Sequence, residues 1–391
     1  MQTACHQQEE YVNEIRRKRS NVPSLTQQVE EESKRKTERP KPIDASLLIP
    51  SGITLLNCAC SDNPTGAFAL GQIVTLPGGS VSGKTMQVLT MLAECCADKR
   101  FDEYDLYYDD GEDALNIDIP YLFGHSLAKR LKPPMFDESI CEHVPSETIQ
   151  DFKGTILRLC TDSEKPFIYI LDSLDSLTTA EELEKEYKKA IAAAKSAEVV
   201  SELKGSYKTE KAKHIGEALR MIRGKLKKTK SALFIVQQIR ARIGGGFGKE
   251  TVTSGGLAPY YYSFHQIWMT KIKNHTRTVG GITKKIGSRT KAEVSKNKLN
   301  GKMQEIEFDI YYDYGIDDVA ANVDFLVQSR WWQKEKETII AHDLDIKAGR
   351  SGVIEKIEKG KLEKELQKIV GKAWLKVEET MRINRCRRFE T

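Results

Sequence analysis

Residues 1–45 are polar, rich in Lys, Arg, Glu and Gln, and the apolar content rises sharply at Leu47. From there to about Val327, short apolar runs alternate with stretches of helical period. The clearest runs are QIVTLP (72–77), DLYYDD (105–110), PFIYILDSL (166–174), ALFIVQQI (232–239) and HQIWMTKI (265–272). Near-continuous apolar strands separated by helices predict a parallel sheet covered on both faces. Residues 181–231 are almost entirely helix-forming, with Gly205 and Ser206 as the expected interruption. Their mixed charges at three- and four-residue spacing read as solvated helix faces. GKLEKELQKIVGKAWLKVEETM (360–381) is an amphipathic helix pattern, and EEYVNEIRRKRS near the start can form a short helix. TERPKPIDAS then reads as an extended linker, since each proline disfavours helix at the residue before it. The expected organisation is an N-terminal helix and linker (1–46), an α/β core (47–332) and a small C-terminal α/β domain (333–391).

Composition narrows the class. The 391 residues are 39% apolar and 30% charged, as in a soluble globular protein. No run approaches the roughly 18 apolar residues of a membrane helix. The first residues carry acids and no apolar core, so no secretory signal is expected. Eight cysteines lie scattered with no C-x-x-C pair, and with seven dispersed histidines they predict reduced thiols and no zinc site. The cytoplasm is the expected location, the host's for a phage protein. Charge is uneven: Ile239–Lys302 carries 13 Lys and Arg against Glu250 and Glu293, a balance of +11, leaving −6 for the rest of a chain of net +5. A basic segment rich in glycine and aromatics beside an acidic body suits a polyanion track, or simply solvated lysines.

Gly78-Gly79-Ser80-Val81-Ser82-Gly83-Lys84-Thr85 fits G-x-x-x-x-G-K-[ST], between the strand QIVTLP and a helical run. That is the setting in which the pattern binds nucleotide. Glycines let the backbone wrap a phosphate, and amides at a helix N-terminus point at the anion. Lys84 is expected to hold the β- and γ-phosphates of ATP, and Thr85 to ligate Mg²⁺. Asp172 ends the run FIYILD and suits the same metal through water, with a helix cap as the alternative. In an open parallel sheet the site lies at the carboxyl ends of the strands. There the run DLYYDD leads into GED, so Asp109, Asp110, Glu112 and Asp113 compete to be the general base; Glu112 is the choice.

Taken together, separated segments over roughly 47–330 resemble the RecA-type homologous recombinases, including their bacteriophage members. DGEDAL (110–115) followed by Phe123-Gly124 resembles the family's acid-bearing segment, with Glu112 on its catalytic glutamate. LFIVQQIRARIG (233–244), with Phe247-Gly248 and TSGG (253–256), is similar to its strand and second DNA-binding loop. Lys296-Asn297-Lys298, before Phe308 and Gly315-Ile316, resembles its intersubunit lysine motif.

The resemblance implies a RecA-like P-loop core with a mostly parallel sheet flanked by helices, and an N-terminal arm that docks on the next protomer. Gln238 would sense the γ-phosphate. Arg240, Arg242, Ile243 and Phe247 would lie along single-stranded DNA, in a loop made pliable by Gly244, Gly255 and Gly256. Lys296 and Lys298 would reach the ATP of the neighbouring subunit. Tyr312 would stack on the base, although Tyr311 and Tyr314 compete for that register. The first DNA-binding loop is expected near Gly205–His214, after a connection longer than usual. Gln237 stands where the family often has asparagine, and the C-terminus MRINRCRRFET is basic rather than acidic. The implied activity is DNA-dependent ATP hydrolysis coupled to pairing and strand exchange, in a helical homo-oligomer on single-stranded DNA that takes up homologous duplex. A RecA-core hexameric motor and an ATP-binding recombination accessory protein are the alternatives.

Overall fold

The computed structural model describes residues 44–195, 207–241, 251–253 and 255–383. The chain divides into two units, Met1–Asp44 and Ala45–Thr391. The expected N-terminal helix belongs to the first unit and lies outside the described residues.

The second unit is built, among the described residues, on a ten-stranded sheet. The helix α1 (Thr54–Ser61) precedes the first central strand, β1 (Ile73–Gly78), which leads into α2 (Lys84–Ala97). Then come β2 (Asp105–Asp110), α3 (Ile149–Asp162), β3 (Phe167–Asp172), α4 (Ala180–Lys195), α5 (Tyr207–Thr229) and β4 (Ala232–Ala241). Four more strands complete the sequence: β5 (His265–Val279), β6 (Ile282–Asn297), β7 (Glu305–Tyr311) and β8 (Gly315–Asp317). The spatial order is β8-β7-β6-β5-β1-β4-β3-β2, with Leu131–Lys132 at the β2 edge and Thr251–Thr253 paired to β4. From β5 to Leu131–Lys132 neighbours run parallel, and from β5 to β8 they run antiparallel.

Alternate residues of the parallel strands feed two apolar clusters, one on each face. Val74, Leu76, Ile168, Ile170, Phe234 and Val236 pack with α1, α2 and helices of the C-terminal region. Ile73, Tyr169, Leu171, Leu233 and Ile235 pack against α3 and α5. Burial on both sides is why these strands read as unbroken apolar runs. The amphipathic pattern of α3 begins at a capping box, in which Thr148 and Asp151 satisfy each other's backbone amides.

The antiparallel extension follows other rules. β5 and β6 form a long hairpin that turns at Gly280-Gly281, with φ +58° and +82°, the left-handed pair that a tight hairpin turn requires. Beyond β8, α6 (Asp318–Gln328) leads to a three-stranded antiparallel sheet of β9 (Gln333–Glu335), β10 (Thr338–Ala341) and β11 (Ile346–Gly349). The helices α7 (Arg350–Gly360) and α8 (Glu363–Thr380) come last. α8 is tied back by Lys302, whose ammonium lies 2.8 Å from Asp62 and 2.6 Å from Glu378.

Candidate nucleotide site

β1 delivers the chain to a loop with no room at Gly78. A Cβ there would meet the Met269 carbonyl oxygen at 2.5 Å and the Ser82 hydroxyl at 2.6 Å. Gly83 caps α2 with φ +90°, and a Cβ on it would lie 2.4 Å from Ile310 Cδ1. Gly83→Ala is therefore expected to store about 1–3 kcal/mol of backbone strain, before any displacement of Ile310. Thermal unfolding with and without nucleotide checks it: the melting temperature should fall, and the rise on adding ATP should vanish.

Lys84, the first residue of α2, is buried, and its ammonium donates to the carbonyls of Gly78 (3.0 Å) and Gly79 (2.7 Å). Burial pulls its pKa down, opposed by Asp172, Glu112 and Asp175. Thr85 Oγ1 donates to Asp172 Oδ2 at 2.7 Å. Asp172 ends β3 and caps none of the described helices, so the cap alternative falls away. Burial raises its carboxyl pKa, while the bonds from Tyr108 and Thr85 and the charge of Lys84 pull the other way.

The four competing acids separate by partner. Asp109 is fully buried and accepts from the Ser146 amide at 2.6 Å and the Tyr169 hydroxyl at 2.5 Å. Asp110 turns to the amides of Ala114 and Leu115. Asp113 sits in a turn at φ +49°. Glu112 faces the other strands: its Oε1 accepts from the Ser173 hydroxyl and from Gln238 Nε2 at 2.8 Å. The Gln238 backbone N–H donates to Asp175 Oδ2 at 2.7 Å. Lys84, Thr85, Glu112, Asp172 and Gln238 thus share one constellation at the carboxyl ends of β1, β2, β3 and β4.

A cleft of about 510 Å³ opens beside the loop. Thr85, Asn116, Asp118, Tyr121, Ile310 and Tyr312 are among the residues lining it. Of the three tyrosines in competition, Tyr312 faces the cleft. Tyr311 packs on His275, with centroids 5.4 Å apart, and the Tyr314 hydroxyl donates to Glu358. Sequence reasoning missed Asn116, Asp118 and Tyr121. The signal was present, since Asp118 followed by Ile119-Pro120 is a helix start that the structure realises, with Asp118 accepting from the Tyr121 amide.

Lys296 and Lys298 are not brought to this cleft. Lys296 on β6 pairs with Gln266, which pairs with Thr75, three residues before Gly78 on β1. Both ammoniums donate to backbone carbonyls of the short helix Ala258–Tyr262, Lys296 to Tyr260 and Lys298 to Tyr261. Arg242, Ile243, Gly244 and Phe247 lie outside the described residues. Arg240 falls on β4, and Gly255 and Gly256 adopt φ +82° and +68° just before that helix. The first DNA-binding loop was expected near 205–214, but Tyr207–His214 belong to α5, and 196–206 lie outside the described residues.

The donors suit a magnesium nucleotide. Mg²⁺ prefers a few oxygen ligands plus phosphate and water, which Thr85 and Asp172 offer. Among the described residues no group of three or more His, Cys, Asp or Glu could hold a metal by itself. The Ser82 hydroxyl is buried in the loop without a hydrogen-bond partner, as a wall prepared for an anion would leave it.

Comparison with known proteins agrees with this geometry. A model of the RecA N-terminal domain matches residues 169–317. The chain is 28% identical over 279 residues to Protein RecA of Clostridioides difficile, covering 70% of each. It is 29% identical over 290 residues to Protein RecA of Aquifex aeolicus, covering 73% of each. With Protein RecA of Borreliella burgdorferi it is 26% identical over 310 residues, 78% of this chain and 76% of the relative. A strand–loop–helix turn, a mostly parallel sheet flanked by helices and these relatives point the same way: the chain is similar to the RecA-type recombinases.

Proposed function

We propose that the protein is an ATP- and Mg²⁺-dependent DNA recombinase that polymerises on single-stranded DNA as a helical filament and exchanges homologous strands. The observation that carries this reading is the Glu112–Gln238 hydrogen bond of 2.8 Å. It joins the carboxylate suited to orient water to the end of β4, and β4 runs on through Arg240 toward the glycine-rich segment 242–250. A γ-phosphate that accepts from Gln238 Nε2 would take that donor from Glu112 and so act on the end of β4.

Lys84 would hold the departing phosphate, Thr85 and Asp172 the metal, and Glu112 the water. Bound Mg²⁺ would supply charge neutralisation on the phosphate oxygens. Tyr312 would stack on the base. Arg240, Arg242, Ile243 and Phe247 would track single-stranded DNA, with exposed Lys273, Arg277, Lys284 and Lys285 of the β5–β6 hairpin adding positive field. Lys296 and Lys298, remote from their own loop along the strand direction, would serve the nucleotide of the next protomer. No helix among the described residues is long and apolar enough to cross a membrane. The cytoplasm is the proposed site of action, the host's if the protein is phage-encoded.

The test is ATP turnover with and without single-stranded DNA, alongside electron microscopy of the same samples. DNA-stimulated turnover with open filaments supports the reading. Closed rings would assign a motor, and no turnover without an added recombinase would assign an accessory protein.

Lys296 gives this reading a pH signature. Burial pulls its pKa down to about 8, with Lys298 and Arg223 adding repulsion. A neighbour's phosphate binds only the charged form, so assembly takes up a proton. ATP-dependent filament formation should therefore hold below about pH 8 and weaken as pH rises through it. Lys296→Arg should flatten the profile between about pH 7 and 9, because a guanidinium stays charged throughout. Light scattering with ATP reads it, and a flat wild-type profile overturns it.

A further inference from the structure

The sheet holds two cross-strand tyrosine–aspartate bonds, one on each face. Tyr108 on β2 donates to Asp172 Oδ2 on β3 at 2.7 Å. Tyr169 on β3 donates to Asp109 Oδ2 on β2 at 2.5 Å. In each pair the tyrosine stands opposite the residue two positions before the acid: Tyr108 opposite Ile170, Tyr169 opposite Tyr107. The geometry is reciprocal, but the surroundings are not. Tyr108 belongs to the cluster under α2, the helix that begins with Lys84 and Thr85. Tyr169 belongs to the cluster under α3 and α5, on the far face.

Resting on the reading of Asp172 as the metal acid, we infer that Tyr108 is a positioning residue for Mg²⁺, setting the rotation of the Asp172 carboxylate. Thr85 and Tyr108 both donate to Oδ2, at 2.7 Å each. Two donors on one oxygen fix the carboxylate plane and leave Oδ1 to accept from a metal-bound water. Thr85 can keep its proton on Asp172 while its lone pair faces the metal. With the tyrosine hydroxyl removed, one donor remains, and the carboxylate turns about the Thr85 bond. Asp110, opposite Asp172 in the register, supplies no replacement, since an ionised carboxylate accepts hydrogen bonds and has none to donate. Groups that orient a metal ligand from behind typically govern about 10–100-fold of metal affinity.

The experiment titrates Mg²⁺ against binding of a fluorescent ATP analogue to the full chain, with the same binding measured in EDTA. Tyr108→Phe keeps the ring in its apolar cluster and removes only the hydroxyl. The expected result is a Mg²⁺ midpoint about tenfold higher, with nucleotide affinity in EDTA unchanged. Tyr169→Phe deletes the equivalent hydroxyl on the far face and should leave the midpoint where it was. An unmoved midpoint in Tyr108→Phe overturns the inference. So does an equal shift in both tyrosine variants, or a loss of nucleotide binding in EDTA, because either would mean that the bond only holds the strands together. Asp172→Asn separates the role of the acid from that of the tyrosine. If it leaves the Mg²⁺ midpoint unchanged, the metal reading of Asp172 itself fails. If it moves the midpoint and Tyr108→Phe does not, only the inference about Tyr108 fails.

Discussion

Glu112→Gln is expected to lower DNA-stimulated ATP turnover by roughly 10²–10⁴-fold, the usual contribution of a positioned general base. ATP binding should stay in the wild-type range, because the residues that would grip the phosphates are Lys84 and the loop. The substitution is gentle in geometry: a glutamine oxygen still accepts from Ser173 and from Gln238, the two partners of Glu112 Oε1. What it removes is the ability to take a proton from water. Filaments of the variant should form with ATP and remain on DNA, since the γ-phosphate persists. Asp110→Asn is the matching control. Its carboxylate accepts only from local amides, so its loss should cost turnover far less. Comparable losses in the two variants, or a Glu112→Gln protein within about tenfold of wild type, would place the base elsewhere.

The parallel half of this fold was open to reading because its chemistry is one-dimensional. Strands buried on both faces must be apolar throughout, so the five runs from QIVTLP to HQIWMTKI locate β1 to β4 within a few residues and β5 at its start, while the exposed outer half of β5, to Val279, escapes the rule. The antiparallel half obeys no such rule. ITKKIGSRTKAEVSKN is a strand, β6, but one face of it meets water over much of its length, and it reads as a basic polar stretch. Gly280-Gly281 was the one local mark of its hairpin. The phosphate loop was legible for the opposite reason: its geometry depends on a few residues adjacent in sequence.

Partnerships across strands were not legible. Asp109 looks as catalytic as Glu112 in the string DDGED, yet the pleat points it into the far face, where Tyr169 and Ser146 neutralise its demand for donors. Tyr108 looks like core and is core, except that the register of β2 against β3 brings its hydroxyl to Asp172. Pairing register is set by the whole sheet, so no local window of sequence contains it.

The lysine pair admits a sharper test than deletion. Lys296→Ala combined with Lys298→Ala should lose DNA-stimulated turnover by about 10²-fold or more if these are the cations that serve the transferring phosphate, as proposed above. That result alone cannot separate action on the protomer's own ATP from action on its neighbour's. Mixing can. In the proposed head-to-tail filament each junction would take Glu112 from one protomer and Lys296 and Lys298 from the next. A 1:1 mixture of the lysine variant with Glu112→Gln then rebuilds complete junctions wherever a lysine-variant nucleotide site meets lysines from a Glu112→Gln protomer. With all four junction types equally populated that is about one junction in four, and since junctions lacking the lysines assemble less readily, turnover should return to at least roughly a quarter of wild type per assembled junction from two nearly inactive proteins. If the lysines serve only their own protomer, no arrangement of the two variants completes a site, and the mixture stays as inactive as its parts. The register already disfavours that outcome: Lys296 lies beside Gln266 and Thr75, set back along β1 by about 10 Å from the loop at Gly78, and its ammonium is turned to the Tyr260 carbonyl. Its own phosphate site is the one that a lysine so placed is least able to reach.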